Sequence, residues 1–121
     1  MSLLIDWTTI RTRLYDNSTG TNGTVTLSQS SANFNYLMIY YRNNDNFYAS
    51  VKVPSPNGKK AWLSCGWIGN STTDTSSYIM KCKTVNISGT QITNVAHKDV
   101  QIGAVVNSNN IYIVRVEGWS I

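Results

Sequence analysis

An all-β fold, an antiparallel β-sandwich of jelly-roll-like type with a closed β-barrel as runner-up, follows from three observations on this sequence. Short runs rich in Val, Ile, Thr, Tyr and Trp recur at roughly the 8 to 12 residue spacing of sandwich strands. Clusters of Asn, Ser, Gly and Pro punctuate them, and no stretch carries the period of a helix of ordinary length.

Residues 1–8 read as a lead-in, with Met1-Ser2-Leu3 an added start on a domain cut from a longer protein, and residues 9–121 as one β-sandwich domain. A first strand is expected over 9–15, where apolar and polar residues alternate. Residues 16–23 are a loop by composition, followed by a short strand over 24–27 and a small polar loop over 28–32. The organising element is 33–53. Phe34 to Tyr41 is almost continuously apolar and aromatic, as in a central strand covered on both faces. Arg42, Asn43, Asn44, Asp45 and Asn46 supply a turn, and Phe47, Ala49, Val51 and Val53 then alternate with polar residues. This is a hairpin whose returning strand lies nearer the edge.

Residues 54–60 hold both prolines and the pair Asn57-Gly58, a strong signal for a tight primed turn. A strand over 61–65 is expected to be interrupted by Gly66-Trp67-Ile68-Gly69-Asn70, and a polar loop follows over 71–76. In the long strand 77–87, Tyr78, Met80, Cys82 and Thr84 share one side and are expected to face the core. Ser88-Gly89-Thr90 turns into a strand over 91–95. A further strand is placed at 100–106, broken by Gly103, and residues 111–119 close the chain with Tyr112, Val114 and Val116 on one face.

With 121 residues, 41% hydrophobic and 11% aromatic, the chain is large enough for a core of its own. Charged residues are only 13%, whereas Ser, Thr and Asn make up about a third. Hydroxyls and amides of that kind make the neutral directional hydrogen bonds that sugars also make, although turn-rich β proteins use them as well. The net charge is +4, but the ten basic residues are scattered along the sequence without a run. Nucleic acid is therefore not an expected partner. No apolar stretch approaches the length of a membrane helix, so membrane insertion is not expected either. Cys65 and Cys82 fall in strands and read as buried free thiols, with a disulfide between neighbouring strands as the alternative. Four Asn-x-Ser/Thr sequons, at Asn17, Asn22, Asn70 and Asn86, are attributed to composition.

Catalysis is not expected. His97 and Asp99 would share one face of a strand but have no accompanying nucleophile, and five of the six carboxylates sit in turns or at segment ends. A single His cannot complete a zinc site, and Asp45 among asparagines lacks the spacing of a calcium loop, so no metal or cofactor is expected. Trp62 and Trp119 are read as core or interface residues. Trp67, between two glycines, is read either as projecting from a bend, where an indole beside amides holds a sugar face, or as folded back over the sandwich end.

Leu14-Tyr15, then 23–28 (Gly-Thr-Val-Thr-Leu-Ser), then 32–41 from Ala32-Asn33-Phe34, and the ending 111–118 together resemble the C-terminal domains of tail, baseplate and receptor-binding proteins from phages and prophages of Gram-positive gut bacteria. The resemblance covers most of the chain, with residues 54–110 matching in general character. It implies a β-rich tip domain on the virion tail, made in the bacterial cytoplasm, often homotrimeric, touching host surface polysaccharide and other tail or baseplate proteins. It carries no catalytic residue to any position. The expected function is non-catalytic recognition of host cell-surface carbohydrate, with a carbohydrate-binding module of a secreted enzyme or a structural tail domain as alternatives. Ligand contact is expected at loops of one sandwich end, Trp67 and Asn70 first and Arg42, Asn43 and Asp45 second.

Overall fold

The computed structural model describes residues 10–68, 78–101 and 104–120. In chain order the described elements are β1 (Ile10–Thr21), β2 (Val25–Thr26), a 3₁₀ turn (Ser31–Asn33), β3 (Tyr36–Asn43), β4 (Tyr48–Pro54), β5 (Lys60–Ile68), β6 (Tyr78–Ser88), β7 (Gln91–Gln101), β8 (Ala104–Val106) and β9 (Ile111–Ser120). They form an antiparallel β-sandwich. One sheet runs β1-β9-β3-β4 and the other β2-β7-β6-β5, with β8 paired to β7.

The expected hairpin is β3 with β4, in register from Tyr36↔Pro54 to Arg42↔Tyr48, and β4 is the edge strand. β3 is an inner strand, but its two faces differ. Leu37, Ile39, Tyr41 and Asn43 are buried, whereas Tyr36, Met38, Tyr40 and Arg42 are half-buried. The continuous apolar run that suggested double coverage has an outward side made of rings and a thioether that tolerate partial exposure.

The core fills the space between the sheets. Leu14, Leu37, Ile39, Tyr41, Val53, Ile111, Ile113 and Val116 come from one, and Val25, Ala61, Leu63, Cys65, Val85, Ile87 and Ile92 from the other. Leu27, just beyond β2, completes it. Phe34 lies across Gly118, where a Cβ would come within 2.6 Å of its ring.

The inward side of β6 is opposite to that expected. Ile79, Lys81, Lys83, Val85 and Ile87 face the core, and Tyr78 and Met80 face out. Three branched aliphatics share parity with the two lysines, and their burial outweighs the burial of Tyr, Met and Thr on the other side. Lys83 is tolerated because its Nζ donates to the carbonyls of Asn22 at 2.9 Å and Ile111 at 2.8 Å. The Asn22 carbonyl also accepts from Asn94 and Asn109 side chains, so two strands of the second sheet and the loop before β9 meet on one oxygen. Burial pushes the Lys83 ammonium down to about 8.

Other boundaries moved for local reasons. The 54–60 segment does not close a hairpin but carries the chain from β4 to β5 in the opposite sheet. Lys59 N–H closes a turn on the Pro56 carbonyl in which Gly58 alone of the central pair has positive φ, the type II pattern and not a primed one. β5 runs without interruption through Gly66 and Trp67, which pair with Met80 and Ile79. β1 extends through residues 16–21 of the expected 16–23 loop by means of register shifts against β9. β7 is one strand of 11 residues, with a shift beside Thr84/Val85.

Candidate functional site

The sandwich end formed by the β3–β4 turn and the far part of β5 brings together Trp67 and Asp45. Asn43 makes that turn. Its Oδ1 accepts from the backbone N–H of Asp45 at 2.9 Å and of Phe47 at 3.1 Å, and its Nδ2 donates to the Cys65 carbonyl at 3.2 Å. Asn46 takes a positive φ of 65°, which Asn tolerates better than most residues. Fully buried, Asn43 cannot touch a ligand; it is a support for the turn and not a contact.

The same end is tied to β5 through Tyr41, whose hydroxyl donates to the Ser64 carbonyl at 3.0 Å and accepts from the Ser64 N–H at 3.2 Å. Trp67 therefore stands on an anchored strand, on the inward-pointing side at the mouth of the sandwich, half-buried. Its indole N–H donates to Asp45 Oδ2 at 2.8 Å. Lys81 Nζ approaches the same Oδ2 at 2.9 Å from inside the sandwich and also donates to Asn44 Oδ1. The Lys81 side chain is 4% exposed and that of Asp45 43%. The hydrogen bond from Lys81, with a smaller one from Trp67, holds the Asp45 carboxyl below the usual carboxylate range against the opposing effect of desolvation. The same stretch of β5, with Gly66, Trp67 and Ile68, and the start of β6, with Tyr78, Ile79 and Met80, line an open depression of about 420 Å³ to which Ile68, Tyr78 and Met80 contribute from the outward side.

The arrangement offers a held indole, an ionised carboxylate and an exposed Asn44, groups able to carry an apolar sugar face and to hydrogen-bond its hydroxyls. Of the residues expected at this end, Trp67 and Asp45 meet, and Asn70 lies outside the described residues. Arg42 is elsewhere: it projects from the outer face of β3, with Nη2 donating to the Thr19 carbonyl at 2.6 Å and its guanidinium 4.5 Å from the Tyr112 ring. Strand alternation sends it away from its buried neighbour Asn43. Lys81 was not anticipated. The signal was present in Ile79, Val85 and Ile87, which share its parity.

His97 and Asp99, on β7, are engaged by the loop before β9. His97 Nδ1 lies 2.9 Å from the Ser108 carbonyl, and Asp99 Oδ2 accepts from Asn110 at 2.8 Å. Among the described residues no group of three or more His, Cys, Asp or Glu side chains is placed to hold a metal ion. Cys65 and Cys82 are buried free thiols. Cys65 is opposite Lys81, and Cys82 opposite Ser64, so the two sulfurs leave opposite faces of one sheet and cannot pair. No helix among the described residues is long and apolar enough to cross a membrane.

The outer face of the second sheet is unexpectedly apolar. Trp62 is 61% exposed and Ile68 79%, and Tyr78, Met80 and Val105 are exposed beside them. Trp62 borders a depression of about 240 Å³ with Cys82, Thr84, Ala96 and Lys98. No protein-family model matches the chain, and no curated protein matches it.

Proposed function

We propose that this chain is a non-catalytic recognition domain of a phage or prophage tail, a tip or receptor-binding domain that contacts host cell-surface carbohydrate through the sandwich end at Trp67. The observation that carries the reading is the indole held by the half-exposed Asp45 carboxylate at an open sandwich end. A rigid aromatic plane with adjacent hydrogen-bonding groups binds a sugar ring without first ordering flexible side chains. Few contacts in an open site give affinities of roughly millimolar to high micromolar per site, about 4 to 6 kcal/mol, and several copies on one virion raise the avidity.

A glycan array followed by titration of Trp67→Ala tests it. Loss of glycan and host-cell binding with the melting transition kept within a few degrees supports the assignment. Unaltered binding places the site elsewhere, and unfolding makes Trp67 a core residue.

A structural or assembly role in the tail is the second reading, supported by the apolar outer face around Trp62, Ile68 and Tyr78. Contact with further copies, as in a homotrimer, or with other tail or baseplate proteins would bury that face. A monomer mass by light scattering at tens of micromolar (roughly the range in which weak interfaces assemble) counts against self-association.

A further inference from the structure

The basic residues that are scattered in sequence converge on the outer face of the first sheet. Cross-strand register sets Arg11, Trp119 and Tyr36 in one row, and Arg13, Glu117, Met38 and Lys52 in the next. Asp16, Arg115 and Tyr40 make a third row, and Tyr112, Arg42 and Tyr48 a fourth. Five of the ten Lys and Arg side chains of the chain thus share one face about 20 Å long. Among the described residues, two carboxylates stand with them. Glu117 is submerged, its side chain 3% exposed, and is already engaged by Arg11 at 3.6 Å, Arg115 at 3.5 Å and the Tyr40 hydroxyl at 3.0 Å. Asp16 is paired with Arg13 at the surface.

We propose that this face is a second binding surface, one that takes an acidic polysaccharide. The excess of cations supplies charge complementarity, and arginine forks match planar carboxylates. The choice of a glycan over single-stranded nucleic acid comes from the rings. Lys52 lies 4.2 Å from the Tyr36 ring, Arg42 4.5 Å from that of Tyr112 and Arg11 6.0 Å from that of Trp119, while Tyr36 and Trp119 lie parallel at 5.8 Å. Each of these rings spends a face on a cation, whereas a strand of bases needs free ring faces to stack on. Arg11 stays exposed above its ring with a side chain 56% accessible, Lys52 is exposed as well, and the neighbouring Arg13 side chain is 55% accessible. Tyr48, Tyr112 and Ser50 add hydroxyls to the same rows, suited to sugar hydroxyls between anionic groups. The inference stands on a different surface from the Trp67 end and does not depend on it.

The test measures retention of the intact chain on polygalacturonate, with dextran as the neutral polymer and a single-stranded oligodeoxynucleotide in parallel. Expected are salt-sensitive binding to polygalacturonate, none to dextran at this face, and an approximately tenfold weakening in Arg13→Gln/Lys52→Gln, the loss of two exposed ion pairs. That double variant changes only exposed side chains, and an unchanged melting transition confirms its fold. Lys59→Gln/Lys60→Gln removes the same charge from elsewhere and should stay within about twofold. Trp67→Ala should bind polygalacturonate as the parent does, which separates this surface from the end site. The proposal is overturned by absence of binding at about 0.1 M salt, by equal weakening in the two double variants, by loss of binding in Trp67→Ala, or by an oligonucleotide affinity as high as that for polygalacturonate.

Discussion

Lys83 makes the stability of this protein rise with pH over a range where most proteins are indifferent. Its side chain is 1% exposed, and burial lowers its ammonium from 10.5 to about 8. The folded state therefore gives up this proton at lower pH than the unfolded chain does. Below about pH 8 the buried charge is a cost, and above it the folded state sheds the charge while the unfolded chain keeps it. Stability must increase until the unfolded lysine also deprotonates. The full displacement is equivalent to about 3 kcal/mol, of which about 2 kcal/mol appears between about pH 7 and about pH 9.5. Cys65 and Cys82, whose thiols are pushed up by burial, act in the opposite direction, since the unfolded thiols ionise first. The comparison with Lys83→Met cancels them. In that variant the Asn22 carbonyl keeps its Asn94 and Asn109 donors, and the lost charge-assisted bonds are partly offset by relief of desolvation. Urea denaturation at the two pH values should show the parent gaining about 2 kcal/mol relative to Lys83→Met. Parallel pH dependences in parent and variant would refute the reasoning, because they would mean that the ammonium is not titrating in the folded state over this range.

Four further outcomes are expected. Asp45→Asn should abolish an acid-side loss of stability. The Asp45 carboxyl is held low, so its contribution is present above the ordinary carboxylate value and vanishes as pH falls through the folded one. Melting curves of parent and variant that fall in parallel toward low pH would contradict this. Cys65→Ala and Cys82→Ala should each cost about 1 to 3 kcal/mol without abolishing the fold, and reducing agent should leave the parent's melting transition unmoved. Gly66→Ala should destabilise by about 1 to 3 kcal/mol in denaturant titrations, because its Cβ would lie 2.4 Å from the Ile79 carbonyl oxygen of the paired strand. Leu63→Ala, at a fully buried position, should cost about 2 to 5 kcal/mol, and a smaller loss would show that this part of the core collapses around the gap.

Most strands could be placed from local pattern, because alternation of side-chain character and turn chemistry are properties of neighbouring residues. The hairpin of β3 and β4 was legible from the aromatic run, the asparagine-rich turn and the alternation after it. The Ser88-Gly89-Thr90 turn was legible for the same reason, with Gly89 at positive φ. Of the candidate site, Trp67 and Asp45 could be nominated, but not that one would donate to the other, since they stand 22 residues apart on different sheets.

Tertiary structure alone decided the inward side of β6. Lys81 and Lys83 read as surface residues until their partners are known, and those partners, Asp45, Asn22 and Ile111, are distant in the chain. A buried ammonium becomes tolerable only when remote oxygens are delivered to it, an event with no local trace. The cationic face depends on the same kind of fact. Arg11, Arg13, Arg42, Lys52 and Arg115 form no run, and it is the pairing of β1, β9, β3 and β4 that sets them in adjacent rows. Charge adds up through space, at distances fixed by strand spacing and register, and register is settled by which residues each strand buries.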